Sequence, residues 1–222
     1  YRKNSSMVGR VFLVRPNYDA VQEIRDEIIR RNPLVAIGNK KPIGLSTVSK
    51  ALRTLEEDLI VSRNGGIRLL QADKLLDKLA DNYAPPEASK RVKLKIQKEA
   101  KEIQELLADL SRKSGLPVVA TGTSSVSRYA VMQRGDMLSV YCNKMDDVVA
   151  CLPKSSRTDR FPNLELIETA EETPFFDARE EDGFLWASPV QVYLELMAGD
   201  KRDQETAGQL KTSLLKSVEA IS

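Results

Sequence analysis

Between two short apolar runs, Leu59-Ile60-Val61 and Ile67-Arg68-Leu69-Leu70, stands Asn64-Gly65-Gly66. Asn-Gly is the strongest short-range hairpin signal, because the favoured two-residue turn needs positive φ at its central positions. Just before it, Val48, Leu52, Leu55 and Leu59 recur at helical spacing, which predicts a helix with one buried side. Ser46 is placed to cap that helix. Its other face carries Thr47, Ser49, Lys50, Arg53 and Thr54. A helix that runs straight into a hairpin is how a winged helix-turn-helix ends.

The surrounding pattern divides the chain. Residues 8–14 read as a short strand, and Val21, Ile24, Ile28 and Ile29 predict a helix over about 18–31. Asn32-Pro33 ends that helix, since a residue before proline is pushed out of the helical region. Residues 34–45 contain Gly38, Pro42 and Gly44 and cannot hold a long helix. Leu75, Leu76 and Leu79 predict one more helix over 71–83. Tyr83-Ala84-Pro85-Pro86 then marks a boundary. Beyond it, Val92, Ile96, Ala100, Ile103, Leu107 and Leu110 predict a long helix over 87–113, basic in its first half through Lys90, Arg91, Lys93, Lys95, Lys98 and Lys101. Strands are expected at 118–122, 137–142, 148–152 and 164–167, with helices at about 124–133, from Pro189 to near Gly199, and at 203–218. The fold expected is α+β: a winged helix-turn-helix over 1–84, a connecting helix over 85–115, and an α/β domain with a small mixed sheet over 116–222.

Composition removes several chemistries. There is no histidine, so Ser-His-Asp and Cys-His catalysis and His-ligated metal are excluded. Two cysteines, Cys142 and Cys151, cannot supply a four-thiolate zinc site. They read as reduced, partly buried thiols of a cytoplasmic protein, or as a pair facing each other across a hairpin. No apolar run approaches the roughly 18 residues that would span a bilayer, so no membrane partner is expected. The first residue is Tyr1, which suggests a piece of a longer chain. Residues 1–84 carry 15 basic and 10 acidic side chains, while the remainder carry 19 and 22. The acidic excess gathers over 165–182. That asymmetry fits two domains with different partners, and equally fits ordinary solvated faces.

The candidate interface follows from the first domain. A helix offering Ser46, Thr47, Ser49, Lys50 and Arg53 fits a major groove about 12 Å wide. Hydroxyls and free N–H groups at its start can meet phosphates. Arg63, Asn64 and Arg68 give the hairpin the charge of a wing, and Lys40 and Lys41 precede the helix. Double-stranded DNA is the expected partner. A winged-helix adaptor that only contacts protein is the alternative, and Glu56, Glu57 and Asp58 oppose phosphate at the helix's far end. The basic stretch 90–101 reads either as a DNA-tracking surface or as a solvated helix face.

Residues 46–56 resemble the recognition helix of many bacterial winged-helix regulators. Val119-Ala120-Thr121-Gly122-Thr123, the strand at 137–142, and Phe184-Leu185-Trp186-Ala187-Ser188-Pro189-Val190-Gln191-Val192-Tyr193-Leu194-Glu195-Leu196 resemble the AbiEi-like family. That resemblance covers about 8–215. It implies an antitoxin and transcriptional regulator of a type IV toxin–antitoxin system, with a winged-helix domain, a second domain serving antitoxin function, and a nucleotidyltransferase-like toxin as partner. The chain departs from the pattern at 34–43, where Gly38 and Pro42 shorten or distort the first helix of the helix-turn-helix.

Thr121-Gly122-Thr123-Ser124-Ser125 before a helix, with Asp136 opening a strand, resembles a nucleotidyltransferase layout. Two-metal chemistry needs converging carboxylates, which on a strand means Asp-x-Asp. The residue two after Asp136 is Leu138, and Asp146 and Asp147 are adjacent. The expectation is a degenerate scaffold without catalysis, cofactor or metal, with a nucleotidyl-transferring enzyme as the alternative. Gly122 then serves a tight strand-to-helix turn, and Trp186 belongs to the core.

Overall fold

The computed structural model describes residues 4–131, 137–153 and 155–221, in an α+β arrangement. In chain order it begins with α1 (Asn4–Phe12), β1 (Asn17–Tyr18), α2 (Val21–Arg30), α3 (Pro33–Ala36) and α4 (Leu45–Glu57). β2 (Val61–Ser62), β3 (Ile67–Leu69) and α5 (Ala72–Asp81) follow. Then come β4 (Lys90–Ile96), α6 (Ala100–Ser114), β5 (Val118–Ala120), α7 (Gly122–Ser125) and β6 (Leu138–Cys142). The chain continues through α8 (Met145–Cys151), β7 (Ser155–Arg157), β8 (Leu164–Glu168), β9 (Arg179–Glu181) and β10 (Phe184–Trp186) to α9 (Pro189–Met197) and α10 (Lys201–Glu219). Two compact units emerge, one of residues 1–85 with 193–222 and one of 86–192.

In the first unit, β1, β3 and β2 form a small antiparallel sheet in that order, with Tyr18 opposite Ile67 and Val61 opposite Leu69. Residues 8–14, expected as a strand, lie mostly in helix α1. Met7, Val8, Val11 and Phe12 are all buried there, and an apolar run buried on every side has no period to separate helix from strand. Gly9 lets α1 approach α5, because a Cβ there would sit 3.1 Å from the Leu75 side chain. Residues 193–222, which hold α10 and the end of α9, also belong to this unit, not to the expected 116–222 domain. Lys211 on α10 reaches Asp73 and Asp77 on α5, both at 2.6 Å.

The second unit is a seven-stranded mixed sheet in the order β7-β4-β8-β6-β5-β10-β9. One face carries Leu94, Ile96, Val118, Ala120, Val140, Leu164, Leu166, Phe184 and Trp186 into a core closed by Ile103 and Leu107 of α6 and Met145 and Val148 of α8. The expected connecting helix over 85–115 is not present. Its first half is strand β4, where Val92, Leu94 and Ile96 alternate with Arg91, Lys93 and Lys95. This is the two-residue period of a half-buried strand. Its second half is α6, opened by a reciprocal capping box between Glu99 and Glu102 and closed by Gly115 at φ 68°. The strand expected at 148–152 is likewise part of helix α8. Asp146 and Asp147 favour its first turn, and the Glu168 carboxylate accepts a hydrogen bond from the Met145 N–H at 2.7 Å. The helix expected at 124–133 is replaced, over its described part, by the short α7 and one 3₁₀ turn, Val126–Arg128.

Candidate nucleic-acid interface

Helix α4 is fixed in the first unit by Val48, Ala51, Leu52 and Leu55, all buried. That stripe forces the opposite side outward: Ser46, Lys50, Arg53 and Thr54 are exposed, and Thr47 and Ser49 are half-buried at its margins. The N-cap is Gly44, not Ser46, with φ −80° and ψ 148° and no side-chain hydrogen bond. Ser46 instead sits one residue into the helix, its hydroxyl unused for capping. Before α4, Gly38 turns the chain at φ 74°, the N–H groups of Asn39 and Lys40 bond the Leu34 carbonyl, and the Arg25 Nε donates to the Ile43 carbonyl at 3.0 Å. Lys41 is exposed and Lys40 half-buried on this tethered loop.

The hairpin turns through Gly65 at φ 71° and Gly66 at φ 120°, values that a Cβ disfavours. Arg68 Nη2 donates to the Gly65 carbonyl at 3.3 Å, and the Asn64 N–H donates to Ser62 Oγ at 3.3 Å. Arg63, Asn64 and Arg68 are exposed. An ion pair between Arg63 and Glu56, at 3.8 Å, ties the hairpin to the helix. Asp58 is met by Lys78 at 3.6 Å, and its carbonyl accepts from Lys74 Nζ at 2.7 Å. Two of the three acids that oppose phosphate are therefore neutralised locally. Lys50 and Arg53 have no ion-pair partner among the described residues.

Leu59 adds a feature that the sequence pattern concealed. It reads as the last apolar position of the helix, yet its φ is 57° and it is 64% exposed. It forms the sharp corner at which α4 gives way to β2, with its carbonyl held by Gln71 Nε2 at 2.7 Å.

In the second unit the hydroxyl run after β5 is used partly to cap α7, through Thr121, and partly to join strand ends, through Ser124 and Ser125. Thr121 Oγ1 accepts from the Ser124 N–H at 3.2 Å, and Ser124 Oγ accepts from the Ser139 N–H at 3.0 Å. Ser125 Oγ accepts from the Ala187 N–H at 3.1 Å. Glu165 is buried between the Ser139 hydroxyl at 2.8 Å and Arg91 Nη1 at 3.0 Å. Asp146 pairs with Lys90 at 2.8 Å. Asp136 lies outside the described residues. Among the described residues no three His, Cys, Asp or Glu side chains gather as a metal site would require. Trp186 is buried, with Arg128 stacked 4.2 Å from its ring centroid. Cys142 is buried and Cys151 exposed, and both are free thiols. No helix is long and apolar enough to cross a membrane among the described residues.

Residues 68–216 match the family model for the AbiEi antitoxin, a transcriptional regulator of type IV toxin–antitoxin systems. The chain belongs to the AbiEi antitoxin family. The match begins within β3 and takes in the whole second sheet, so α4 and most of the hairpin lie before it. No curated protein matches the chain. Family membership thus speaks for regulation and antitoxin character, while the α4 surface is read from its own geometry.

Proposed function

We propose that this AbiEi-family chain is a non-catalytic, DNA-binding regulator whose first unit is a winged helix-turn-helix and acts on double-stranded DNA. One observation carries this reading: Lys50 and Arg53 stand exposed on a helix locked from behind by four buried side chains, without a carboxylate among the described residues to neutralise them. The order α1-β1-α2-α3-α4-β2-β3, with β1 paired to β3, supports the winged reading. In it α4 enters the major groove, Ser46, Thr47 and Ser49 lie near phosphates, and Lys40, Lys41, Arg63, Asn64 and Arg68 flank the backbone. The four-residue α3 makes the helix before α4 unusually brief, so the loop over 37–44 carries the approach to DNA. A nucleotidyltransferase-like toxin as protein partner of the second unit follows from the family alone. The use of Thr121 in capping α7 and of Ser124 and Ser125 in strand-joining bonds supports a non-catalytic second unit.

The test is a mobility-shift titration against the DNA upstream of the chain's own gene at about 100 mM salt. Lys50→Ala with Arg53→Ala should weaken affinity on the order of a hundred-fold. The log–log salt slope should also become shallower by about 0.9 for each phosphate no longer neutralised. Unchanged affinity in a folded double variant refutes the interface.

A further inference from the structure

The loop between β7 and β8 holds out an aromatic ring. Phe161 is 88% exposed and sits at φ 51°, a left-handed conformation that a bulky L residue rarely adopts. The loop around it is fastened at both ends. The Thr158 N–H bonds the Lys93 carbonyl at 3.1 Å, and the Asn163 N–H bonds the Leu94 carbonyl at 3.0 Å. The Asn163 side chain accepts from the Ile96 N–H at 2.9 Å and donates to the Ile96 and Lys98 carbonyls at 2.8 and 3.3 Å. The Arg160 N–H closes the turn on Thr158 Oγ1 at 3.0 Å. Strained residues persist only where their surroundings over-determine them, and they concentrate at binding and switch sites.

The flanking charge says what kind of molecule fits. Arg160 precedes the ring, and Lys95 projects from the strand paired with β7; both are exposed and without an ion pair among the described residues. Asp159 is the acid within the loop, and Lys98 is already engaged by Glu102 at 2.8 Å. A polyanion with flat apolar faces satisfies both the cations and the ring. Bases in a duplex are stacked on each other and leave a protruding phenyl ring no face, whereas bases of an unpaired strand offer one.

We propose that the Phe161 loop is a docking site for single-stranded nucleic acid, with a base stacked on Phe161 and adjacent phosphates met by Arg160 and Lys95. The site lies in the second unit and does not depend on α4, so it is measured in the Lys50→Ala/Arg53→Ala background. The readout is fluorescence anisotropy with labelled oligothymidine, labelled oligouridine and a labelled duplex. Phe161→Ala should weaken binding of the unpaired strands roughly five- to hundred-fold, and Phe161→Trp should restore it. Lys95→Ala with Arg160→Ala should flatten the salt slope by about 0.7 for each phosphate released. Circular dichroism checks that each variant is folded. The assignment is overturned if the parent binds neither oligonucleotide, as it would were the ring made for a protein partner. It is equally overturned if Phe161→Ala leaves single-strand affinity unchanged, or lowers duplex affinity by the same factor.

Discussion

Helix α4 and strand β4 are both basic, yet among the described residues α4 leaves both of its cations unpaired while β4 pairs two of its four. On α4, Lys50 and Arg53 face solvent with no carboxylate among the described residues to answer them. On β4, Lys90 is held by Asp146 and Arg91 by Glu165, a carboxylate whose side chain is only 7% exposed. A count of lysines and arginines would rank β4, with Lys90, Arg91, Lys93 and Lys95, above α4 as a surface for polyanions. Pairing removes that lead, because only Lys93 and Lys95 of β4 lack an ion pair among the described residues. An ion pair within the fold cancels the field that would otherwise steer a phosphate, so charge matters to a partner only where it is left unanswered.

The largest effect that could break this contrast is in duplex affinity. Lys90→Ala with Arg91→Ala should leave operator binding within about two-fold of the parent, against the hundred-fold loss expected on α4. Equal losses from the two double variants would show that pairing inside the fold does not shield β4. Next is stability. Glu165→Ala leaves the buried Ser139 hydroxyl without its acceptor and frees Arg91, and should cost about 1–3 kcal/mol. In a chain this size that is a fall in melting temperature of about 2–12 °C. Lys50→Ala, which removes no internal partner, should not move the melting temperature, and calorimetry of the two side by side sharpens the comparison.

How far these differences are visible in the sequence depends on the segment. Helix α4 and its hairpin are legible because two independent signals agree, the helical recurrence of Val48, Leu52 and Leu55 and the Asn-Gly turn. Strand β4 misleads because Val92 and Ile96 stand four apart, a spacing that both periods permit. Leu94, which belongs only to the strand period, is the residue that decides it. Helix α1 offers no period at all. The Arg63–Glu56 and Arg91–Glu165 pairs are out of reach, since each joins residues that only the finished turn or sheet brings together. The docking of α10 through Lys211 on Asp73 and Asp77 spans 138 and 134 residues of chain, and no local pattern announces it.

Acid extends the comparison to two further carboxylates held within the fold. Burial pushes the Glu27 carboxyl up, but hydrogen bonds and charge from Arg30 and Arg31 prevail and hold it below its ordinary value of 4.5. The Met145 N–H and the Ser89 hydroxyl do the same for Glu168. A carboxylate depressed in the folded state contributes stability that is present above its ordinary value and lost as pH falls through the folded one. The melting temperature should therefore be flat from neutrality to about pH 5 and then decline, and Glu27→Gln should make the decline shallower. A steeper decline in that variant would show that Glu27 does not carry the dependence.

The smallest expected effect is the most exacting for the contrast. Lys90 and Asp146 are 2.8 Å apart but half or more exposed, so water screens their attraction and holding two mobile side chains in one geometry offsets much of what remains. Lys90→Ala alone should change neither the melting temperature nor duplex affinity measurably. The two null results together mean that the pair neither supports the sheet nor reaches a phosphate. A loss of stability would move Lys90 into the class of Arg91, as a side chain the fold depends on. A loss of duplex affinity with stability intact would mean that Asp146 surrenders its partner to the polyanion. The division between answered and unanswered cations would then be set by competition with the ligand, and not by the fold alone.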